Sequence, residues 1–599
     1  MITRESTPVA RSAPSPGPRG RAVAGAAVIV VAATALFAGY LGQSRTVSVG
    51  SDGASQALQA WDMLHGNLLL HGWWVTDVSF YTTELPQYAL LELGRGLSTE
   101  VMHVGGAMTY TLLVLAAAFL ARGRARGRAG VVRALLAAGI MLAPQPGPGT
   151  QTLVLSPDHT GTGVPVLLIW LLIDRCRPVD GEAAARWYVP VIVWLGLAWT
   201  LVADTLTLFV AIIPLALVCA LRITRAATGD RRPPRQPRRD RPSQHGREPA
   251  TGRERSYELG LLAAALLAVP AAFAATALIR ALGGWQVNAL PTALATAGRL
   301  AGNARLTGEG LLELFGANVP GAASTGSALA VAFAVAHLAG VALAAAGVIR
   351  AAAAAGSPRR RLDLIDAVLL TGLAVNLAAY LVGVQAVNIT STREIAPVLP
   401  FAAVLAGRRL ADRLLRPPSP GLPRPGPPRP GPPSPGLPSS RLPSPGDLRL
   451  LKPALIALLA CYAAMLGYAA AQPPAPPQYA SLAAWLSARH LTTGLSGYHQ
   501  ANIVTLETGG AVTLRAVTTS DGRLSAYTWN ASATWFDPAA ERANFLVLTR
   551  PGAPAAAGGE GITVTQATAT FGRPAKIARD GDYLILIWPP GRNLLARLR

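Results

Sequence analysis

The residues whose types could do chemistry are a few charged side chains that stand between long apolar runs. A carboxylate can accept a proton as a general base, an Arg guanidinium can hold a phosphate through two parallel hydrogen bonds, and adjacent Asp and His residues can bind a divalent cation. The candidates by type and place in the chain are Asp52, Asp62, Glu84, Arg95, Asp158, His159, Asp204 and Arg393.

The apolar runs that separate these residues define the class of protein. Hydrophobic residues make up 51% of the 599-residue chain, only 14% of its residues are charged, and its mean hydropathy is +0.35. A soluble domain carries about 25% charged residues, so an ordinary cytosolic enzyme, a fibrous protein and a mostly disordered chain are excluded. The pattern predicts an all-α polytopic membrane bundle of about eleven spans. They are expected at residues 23–41, 101–121, 131–144, 162–173, 189–203, 205–221, 257–282, 328–349, 364–384, 395–406 and 453–471.

The placement of charge predicts how this bundle lies in a membrane. The net charge is +22, from 53 basic and 31 acidic residues. The Arg clusters fall in alternate loops, as the positive-inside rule requires of cytoplasmic loops, so the charge does not indicate nucleic-acid binding. The first external loop, residues 42–100, carries six acids and only Arg45 and Arg95 as bases. We therefore expect a plasma-membrane protein with a cytoplasmic N-terminus and residues 472–599 outside.

Composition shifts divide the chain further. Residues 1–22 are expected to be a disordered cytoplasmic tail, and residues 23–410 to form the membrane domain. Residues 411–451 are predicted to be a Pro-rich cytoplasmic linker before the last span at 452–471. High Ala, Arg, Gly and Pro contents indicate a GC-rich genome.

Residues 472–599 differ in kind from the membrane domain. Short β-like runs separated by turn signals, such as Gly509-Gly510 and Asp521-Gly522, predict a small extracytoplasmic α/β domain. A short helix is expected at residues 481–489, and strands at 501–505, 511–518, 545–548, 562–570 and 583–588.

The first external loop is the most informative stretch. Apolar residues at helical spacing predict an amphipathic helix over residues 53–65, which its neighbouring Trp and Tyr residues would place at the membrane interface. Asp52 stands at the start of this helix, where Asp52 or Ser51 could simply cap it. Asp62 lies ten residues later. At about 100° of rotation per residue, this spacing places it on a different face of the helix from Asp52.

This opening resembles that of the GT-C membrane glycosyltransferases. A first span, a short linker, an Asp, an interfacial helix and a Pro before the second span are similar to the protein O-mannosyltransferases and the lipid A aminoarabinose transferases. Asp52, Asp62-Met63-Leu64 and Pro86 fall in step with that pattern. Gly53 replaces the usual second acid, and Glu84 begins a Glu-Leu-Pro element where the branch has Lys-Pro-Pro.

The resemblance continues to about residue 410. Asp158-His159 precedes the fourth predicted span, where the family often has an acidic or His-bearing loop. Asp204 occupies a tight turn between short spans. The segment from Arg393 to Pro397 is like the family's Arg-aromatic-x-x-Pro element, with Glu394 in place of the aromatic residue. The order and spacing of several weak motifs carry this likeness, and no single motif is diagnostic.

The resemblance implies a transferase that moves a sugar from a polyprenyl-phosphate donor to an extracytoplasmic acceptor, with inversion. In this interpretation Asp52 is the general base, and Arg393 binds the donor phosphate, with Arg95 as a second candidate. The supporting or acceptor-side residues would be Asp62, Glu84, Asp158, His159 and Asp204.

The implied partners are the lipid-linked sugar, membrane lipid and a glycan, lipid or protein acceptor of the cell envelope. No cofactor is certain. Asp158 and His159 could hold a divalent cation such as Mg²⁺ or Mn²⁺. An actinobacterial source is a further expectation from the likeness.

Each candidate also has a structural alternative. Ser156 and Pro157 could begin a helix and so account for the neighbouring Asp158-His159. Residues 391–394 form a potential capping box that would explain Glu394 but not Arg393. Asp204 could cap the following span. The predicted extracytoplasmic domain, residues 472–599, is called the outer domain below. Its residues Tyr498-His499 and Trp529 could contact a sugar or could only pack within the domain.

Two other functions remain open at this point. One is a catalytically degenerate GT-C-like scaffold protein for envelope assembly, which the departures at Gly53 and Glu84 keep open. The other is a transporter of lipid-linked sugars, against which the chain shows neither repeated halves nor many ionisable residues within spans.

Overall fold

The computed structural model describes residues 18–155, 159–177, 186–229, 252–288, 293–357, 362–415, 447–553 and 561–598. Its larger part is helical, with two short strands, β1 (Trp73–Val75) and β2 (Gln286–Val287). The helices in chain order are α1 (Pro18–Ser44), α2 (Ser51–Leu64), α3 (Glu84–Arg95), α4 (Thr99–Arg122), α5 (Gly127–Met141), α6 (Pro148–Thr150), α7 (Thr160–Cys176), α8 (Tyr188–Ala203), α9 (Ile213–Gly229), α10 (Gly252–Ala281), α11 (Ala297–Leu314), α12 (Val319–Ser324), α13 (Ala328–Ala355), α14 (Leu364–Val382), α15 (Val398–Leu415) and α16 (Asp447–Ala470).

Each predicted span coincides with a helix, and the predicted fold class is confirmed. Within the described ranges, 7 helices are long and apolar enough to cross a membrane. The number rises to 8 if Ile389–Ile395 and α15, which meet at a bend of 51°, make one span. Helices α5, α7 and α8 are shorter, with 15, 17 and 16 residues, and a free-standing span needs about 17–25. The number of eleven spans therefore stays a prediction.

Helix α4 stands at the centre of the bundle, where it packs against α1, α5, α7 and α15. Gly106 of α4 lets the segment that contains Val154 approach α4 closely, because a Cβ atom at position 106 would lie 2.0 Å from the carbonyl oxygen of Val154. The π-helical turn Gln151–Leu155 therefore lies directly against α4. Small residues permit this kind of approach in membrane bundles, and here it fixes the segment that leads to His159.

The outer domain is confirmed as a mixed α/β unit. It contains a six-stranded sheet of order β5-β4-β3-β7-β9-β8, in which β3 runs parallel to β4 and β7 and the other pairs are antiparallel. Its elements are α17 (Ala480–Ser487), β3 (Thr493–Ser496), α18 (Tyr498–Glu507), β4 (Thr513–Ser520), β5 (Arg523–Ala526), β6 (Ala531–Ser532), β7 (Phe545–Thr549), α19 (Val564–Phe571), β8 (Lys576–Asp580) and β9 (Tyr583–Ile587).

Two predicted strands of this domain are wrong. Residues 501–505 belong to α18, whose residues are buried on nearly every side, so the helical period of 3.6 is absent from the sequence. Residues 562–570 fall largely in α19, which begins at a capping box made by Thr563 and Gln566. Its β-branched residues suggest a strand, but the capping box starts a helix.

The outer domain is joined to the membrane domain by a second, smaller sheet. Strand β1 of the first external loop pairs antiparallel with β6 of the outer domain and parallel with β2. A single apolar core, which includes Trp73, Tyr88, Leu482 and Val504, continues from the loop into the outer domain. The first external loop is thus packed between the bundle and the outer domain.

Candidate active site

Asp52 lies in the first turn of α2, and its carboxylate has two charged or polar partners from distant parts of the chain. Its Oδ2 lies 3.2 Å from Nη1 of Arg393, and its Oδ1 accepts a hydrogen bond of 2.7 Å from the hydroxyl of Tyr498. The side chains of Asp52 and Arg393 are each 35% exposed. The carboxylate of Asp52 is therefore held in place and is also accessible to solvent.

The structure contradicts the interpretation of Asp52 or Ser51 as a helix cap. The N-cap residue is Gly50, and it makes no side-chain cap. The Ser51 hydroxyl instead donates to the carbonyl oxygens of Tyr498 and His499, at 3.0 and 2.9 Å. A carboxylate inside the first turn still benefits from the positive end of the helix dipole.

Arg393 belongs to the 3₁₀ helix Ile389–Ile395. The side chain of Asn388 caps this helix by accepting a hydrogen bond from the Ser391 amide at 3.1 Å. The potential capping box over residues 391–394 is therefore not used, because Asn388 already occupies the cap and the Glu394 carboxylate turns towards His159. The side chains of these two adjacent residues thus have different partners. Arg393 contacts Asp52, and Glu394 contacts His159.

His159 stands between two carboxylates. Its Nδ1 lies 2.8 Å from Oδ2 of Asp204, and its Nε2 lies 3.2 Å from Oε2 of Glu394. Asp204 also accepts a 2.8 Å hydrogen bond from the Leu206 amide and another from the Thr162 hydroxyl. Asp204 does not cap the following helix, whose N-cap residue is Thr207; its carboxylate instead holds the turn at Leu206 and orients His159.

Electrostatics keep this group charged. Burial alone lowers the pKa of the His159 imidazole, but the carboxylates of Asp204 and Glu394 raise that pKa well above its ordinary value. Burial raises the pKa of Asp204, but His159 and its hydrogen-bond donors bring that pKa below the usual range. An imidazolium ion donates from both ring nitrogens, so His159 bonds to both carboxylates. His159 also has a positive φ of 60°, a conformation that non-Gly residues rarely adopt.

A cavity of about 490 Å³ opens beside this group. Its polar end carries Asp77, His159 and Glu394, and burial, followed by the charge of Glu394, raises the pKa of Asp77. The rest of its lining is largely apolar and includes Leu206, Phe209, Leu294, Ala379, Val382 and Val384. A ligand with a polar head and a long apolar tail matches this division.

The other sequence-predicted residues lie apart from Asp52. Asp62 accepts hydrogen bonds of 2.7 Å from Asn67 and from the Trp73 indole, which stabilise the loop after α2. The Glu84 carboxylate packs against Gly161 in the first turn of α7, close to His159. Arg95 pairs with Glu100 at 3.7 Å. Asp158 lies outside the described residues.

The predicted divalent cation can be tested against the residues present. Across the ranges that the structure describes, no group of three or more His, Cys, Asp and Glu side chains is arranged to hold a metal ion. Both ring nitrogens of His159 are engaged by carboxylates, so neither is directed at a metal. The described residues therefore do not fit a metal centre at His159, and no step is assigned to one.

Tyr498 and Asp77 are the residues of this site that are hardest to identify from the sequence. Tyr498 was expected either to contact a sugar or to pack, and its hydrogen bond to Asp52 joins positions 446 residues apart. Asp77 was one of six acids in the first external loop. The excess of acid in that loop was the available signal, but it does not tell one carboxylate from another.

No protein-family model matches the chain, and no curated protein matches its sequence. Solved structures are similar to it in fold. ArnT from Cupriavidus metallidurans in the apo state has a TM-score of 0.49 at 15% identity, covering 94% of this chain and 98% of that one. ArnT bound to undecaprenyl phosphate has a TM-score of 0.47 at 13% identity, covering 95% of this chain and 98% of that one.

The archaeal oligosaccharyltransferase AglB from Archaeoglobus fulgidus, in complex with an inhibitory peptide and a dolichol-phosphate, has a TM-score of 0.43 at 11% identity. The match covers 88% of this chain and 70% of that one. Each of these matches extends over most of this chain. With these identities and TM-scores, the likeness carries no residue role to this chain.

Proposed function

We propose that this membrane protein transfers a sugar from a polyprenyl-phosphate donor to an acceptor on the outer face of the plasma membrane. The observation that carries the proposal is the partly exposed pair of Asp52 and Arg393, 3.2 Å apart. Arg393 is the chain neighbour of Glu394, which lines a cavity that has both charged and apolar lining residues. A proton acceptor and a phosphate ligand are the two groups that such a transfer needs.

The reaction is a single displacement. An acceptor hydroxyl attacks the anomeric carbon, the new C–O bond forms, and the bond from that carbon to the phosphate oxygen breaks. The acceptor proton goes to the Asp52 carboxylate, and the polyprenyl phosphate leaves with the electron pair. Attack from the side opposite to the leaving group inverts the anomeric centre.

The role of Arg393 follows from the local balance of charge. The charged residues that line the cavity are Asp77, His159 and Glu394, with two acids for one base. That end would repel a phosphate unless another cation faced it. Arg393 directly precedes the lining residue Glu394 in the chain, and it already contacts the carboxylate of Asp52. We therefore assign the donor phosphate to Arg393, and the apolar walls to the first isoprene units of the lipid.

The remaining candidates take supporting places in this proposal. Arg95 would have to leave Glu100 to bind a phosphate, so it is the second choice. His159, Asp204 and Glu84 support the start of α7, through the pair of His159 with Asp204 and the contact of Glu84 with Gly161. The acceptor is a hydroxyl or amine of an envelope glycan, lipid or protein.

The test supplies membranes containing the protein with a panel of radiolabelled polyprenyl-phosphate sugars and follows loss of label from the lipid fraction. Arg393→Gln is expected to reduce turnover about 100-fold, since it removes a charged donor to the leaving group. Arg305→Gln is the matched control, because Arg305 is an exposed Arg paired only locally with Glu309 at 2.8 Å.

Turnover by the wild type that persists in Arg393→Gln would contradict the assignment of the phosphate. A folded wild type that turns over no donor would contradict the transferase itself and favour the scaffold protein. Movement of intact donor across the membrane without loss of label would favour the transporter.

A further inference from the structure

One of the two oxygens of Asp52 is bound by the outer domain. The Tyr498 hydroxyl, at the first residue of α18, donates to Oδ1 at 2.7 Å, while Arg393 approaches Oδ2. The proposed base is thus held by one group from the membrane domain and one from the outer domain. A base placed in this way depends on how the two domains are docked.

Tyr498 is held against the first external loop by hydrogen bonds and by packing. The Ser51 hydroxyl bonds to the carbonyl oxygens of both Tyr498 and His499, so the residue before Asp52 also holds the start of α18. Helices α2 and α18 pack against each other within a continuous apolar core. Tyr498 is only 7% exposed, and the Tyr527 ring lies 5.2 Å from its own.

The contact has the right polarity for a positioning role. Burial, followed by the charge of Asp52, raises the pKa of the Tyr498 phenol well above its ordinary value, so the hydroxyl keeps its proton and donates it. A carboxylate offers about four lone-pair directions. Oδ1 can therefore accept from Tyr498 and still receive the proton of an acceptor.

We infer that Tyr498 is a positioning residue for Asp52, so that the outer domain forms part of the catalytic unit. Arg guanidinium groups favour two parallel hydrogen bonds to a carboxylate. Without the Tyr498 hydroxyl, Asp52 is free to turn both oxygens towards Arg393. That arrangement directs both oxygens of the base at the guanidinium and away from the acceptor proton. The Tyr498 bond keeps Oδ1 apart from Arg393.

This inference rests on the proposed function, and its test is Tyr498→Phe in the full-length protein, assayed as above. We expect about a tenfold fall in kcat with the KM for the donor changed less than twofold, since the substrate-binding groups remain. The rate–pH profile should also change, because the proposed base exchanges a neutral donor for a second contact with a guanidinium. A loss of folded protein alone would not change that profile.

The matched control is Tyr583→Phe, which removes the hydroxyl of another buried tyrosine in the same domain that packs near Tyr479. It should leave kcat and the pH profile unchanged. Ser51→Ala, which retains the Tyr498 hydroxyl but loses the link to α18, should give a smaller fall in kcat. Thermal unfolding of each purified variant checks that the fold is retained.

The outcomes separate this inference from the proposed function. If Asp52→Asn is inactive while Tyr498→Phe matches the wild type in kcat and pH profile, the positioning role is wrong and the proposed base stands. If Tyr498→Phe lowers kcat only as much as Tyr583→Phe does, the role is also wrong. If Asp52→Asn retains full turnover, Asp52 is not the base, and both assignments fall together.

Discussion

Two groups of charged residues lie close together on the predicted outer side, and they differ in access to solvent. Asp52 and Arg393 are each 35% exposed and bond to each other through one oxygen and one nitrogen. His159 and Asp204 are 4% and 1% exposed, and the charge of His159 is shared between two carboxylates. The first pair can exchange its partners for a substrate. The second group has its bonding partners within the protein.

The difference indicates a division of labour along the chain. The buried group joins three segments, at residues 159, 204 and 394, so it fixes the backbone that carries Arg393. In the proposed function, the exposed pair of Asp52 and Arg393 then contacts the substrate. A buried ion pair costs much to desolvate and is destabilising once one partner is removed, whereas a half-exposed pair can be separated at low cost.

Replacement of the His159 imidazole is expected to have the largest effect on stability. His159→Gln leaves the buried Asp204 carboxylate without its cation and also removes the partner of Glu394, which is 29% exposed, so we expect the free energy of unfolding to fall by about 3–5 kcal/mol, most of it from Asp204. Thermal unfolding in detergent measures the change. Turnover lost without any change in the unfolding temperature would instead make His159 part of the chemistry.

Arg393→Lys tests whether Arg393 acts through its charge alone or also through the shape of its guanidinium group. The substitution keeps the positive charge but loses the planar fork that matches a phosphate. We expect turnover to fall about tenfold, less than for Arg393→Gln, with no change in the unfolding temperature. Full activity in Arg393→Lys would show that charge alone is needed. An equal loss in both variants would assign the effect to geometry.

The pH dependence of the free energy of unfolding tests the contributions of His159 and Asp204. The folded-state pKa of His159 is raised, so its contribution is fully present below its unfolded pKa of about 6.5 and is lost as the pH rises through the folded pKa. The folded-state pKa of Asp204 is lowered, so its contribution is present above about 3.9 and is lost as the pH falls through the folded value. Unfolding temperatures across the pH range should show an alkaline decline that disappears in His159→Gln, and the same decline in both proteins would contradict this account.

Arg95→Gln gives the smallest effect. The 3.7 Å pair with Glu100 has exposures of 48% and 28%, so we expect less than about 1 kcal/mol in unfolding and at most a two- to threefold loss of turnover. The assay is the same transfer of label from the lipid donor. A loss as large as that of Arg393→Gln would move the donor phosphate to Arg95.

Much of the bundle could be predicted from the sequence because apolar length and Arg placement are local signals. Each predicted span corresponds to a helix, and the helix of the first external loop begins within two residues of its expected start at Gly53. Whether the short helices α5, α7 and α8 each cross a membrane depends on their neighbours, which the sequence does not show. Residues 501–505 were misassigned because burial on all sides of α18 removes the helical period.

The site was predictable only in part. Asp52 and Arg393 were singled out separately, and the structure brings them together across 341 residues. The capping pattern at residues 391–394 offered a local role for Glu394, but tertiary packing directs it to His159. Tyr498 could not be linked to Asp52, because the two positions are 446 apart and no local pattern in the sequence indicates such a contact.

The measurement that tests the central claim most directly compares wild type, Asp52→Asn and Glu309→Gln in membranes supplied with labelled polyprenyl-phosphate sugars. Glu309 is an exposed carboxylate on α11 and controls for loss of an acid. We predict that Asp52→Asn lowers turnover by about 100- to 10,000-fold at unchanged protein level, and that Glu309→Gln behaves as wild type. Equal turnover in all three proteins would contradict the assignment of Asp52 as the base.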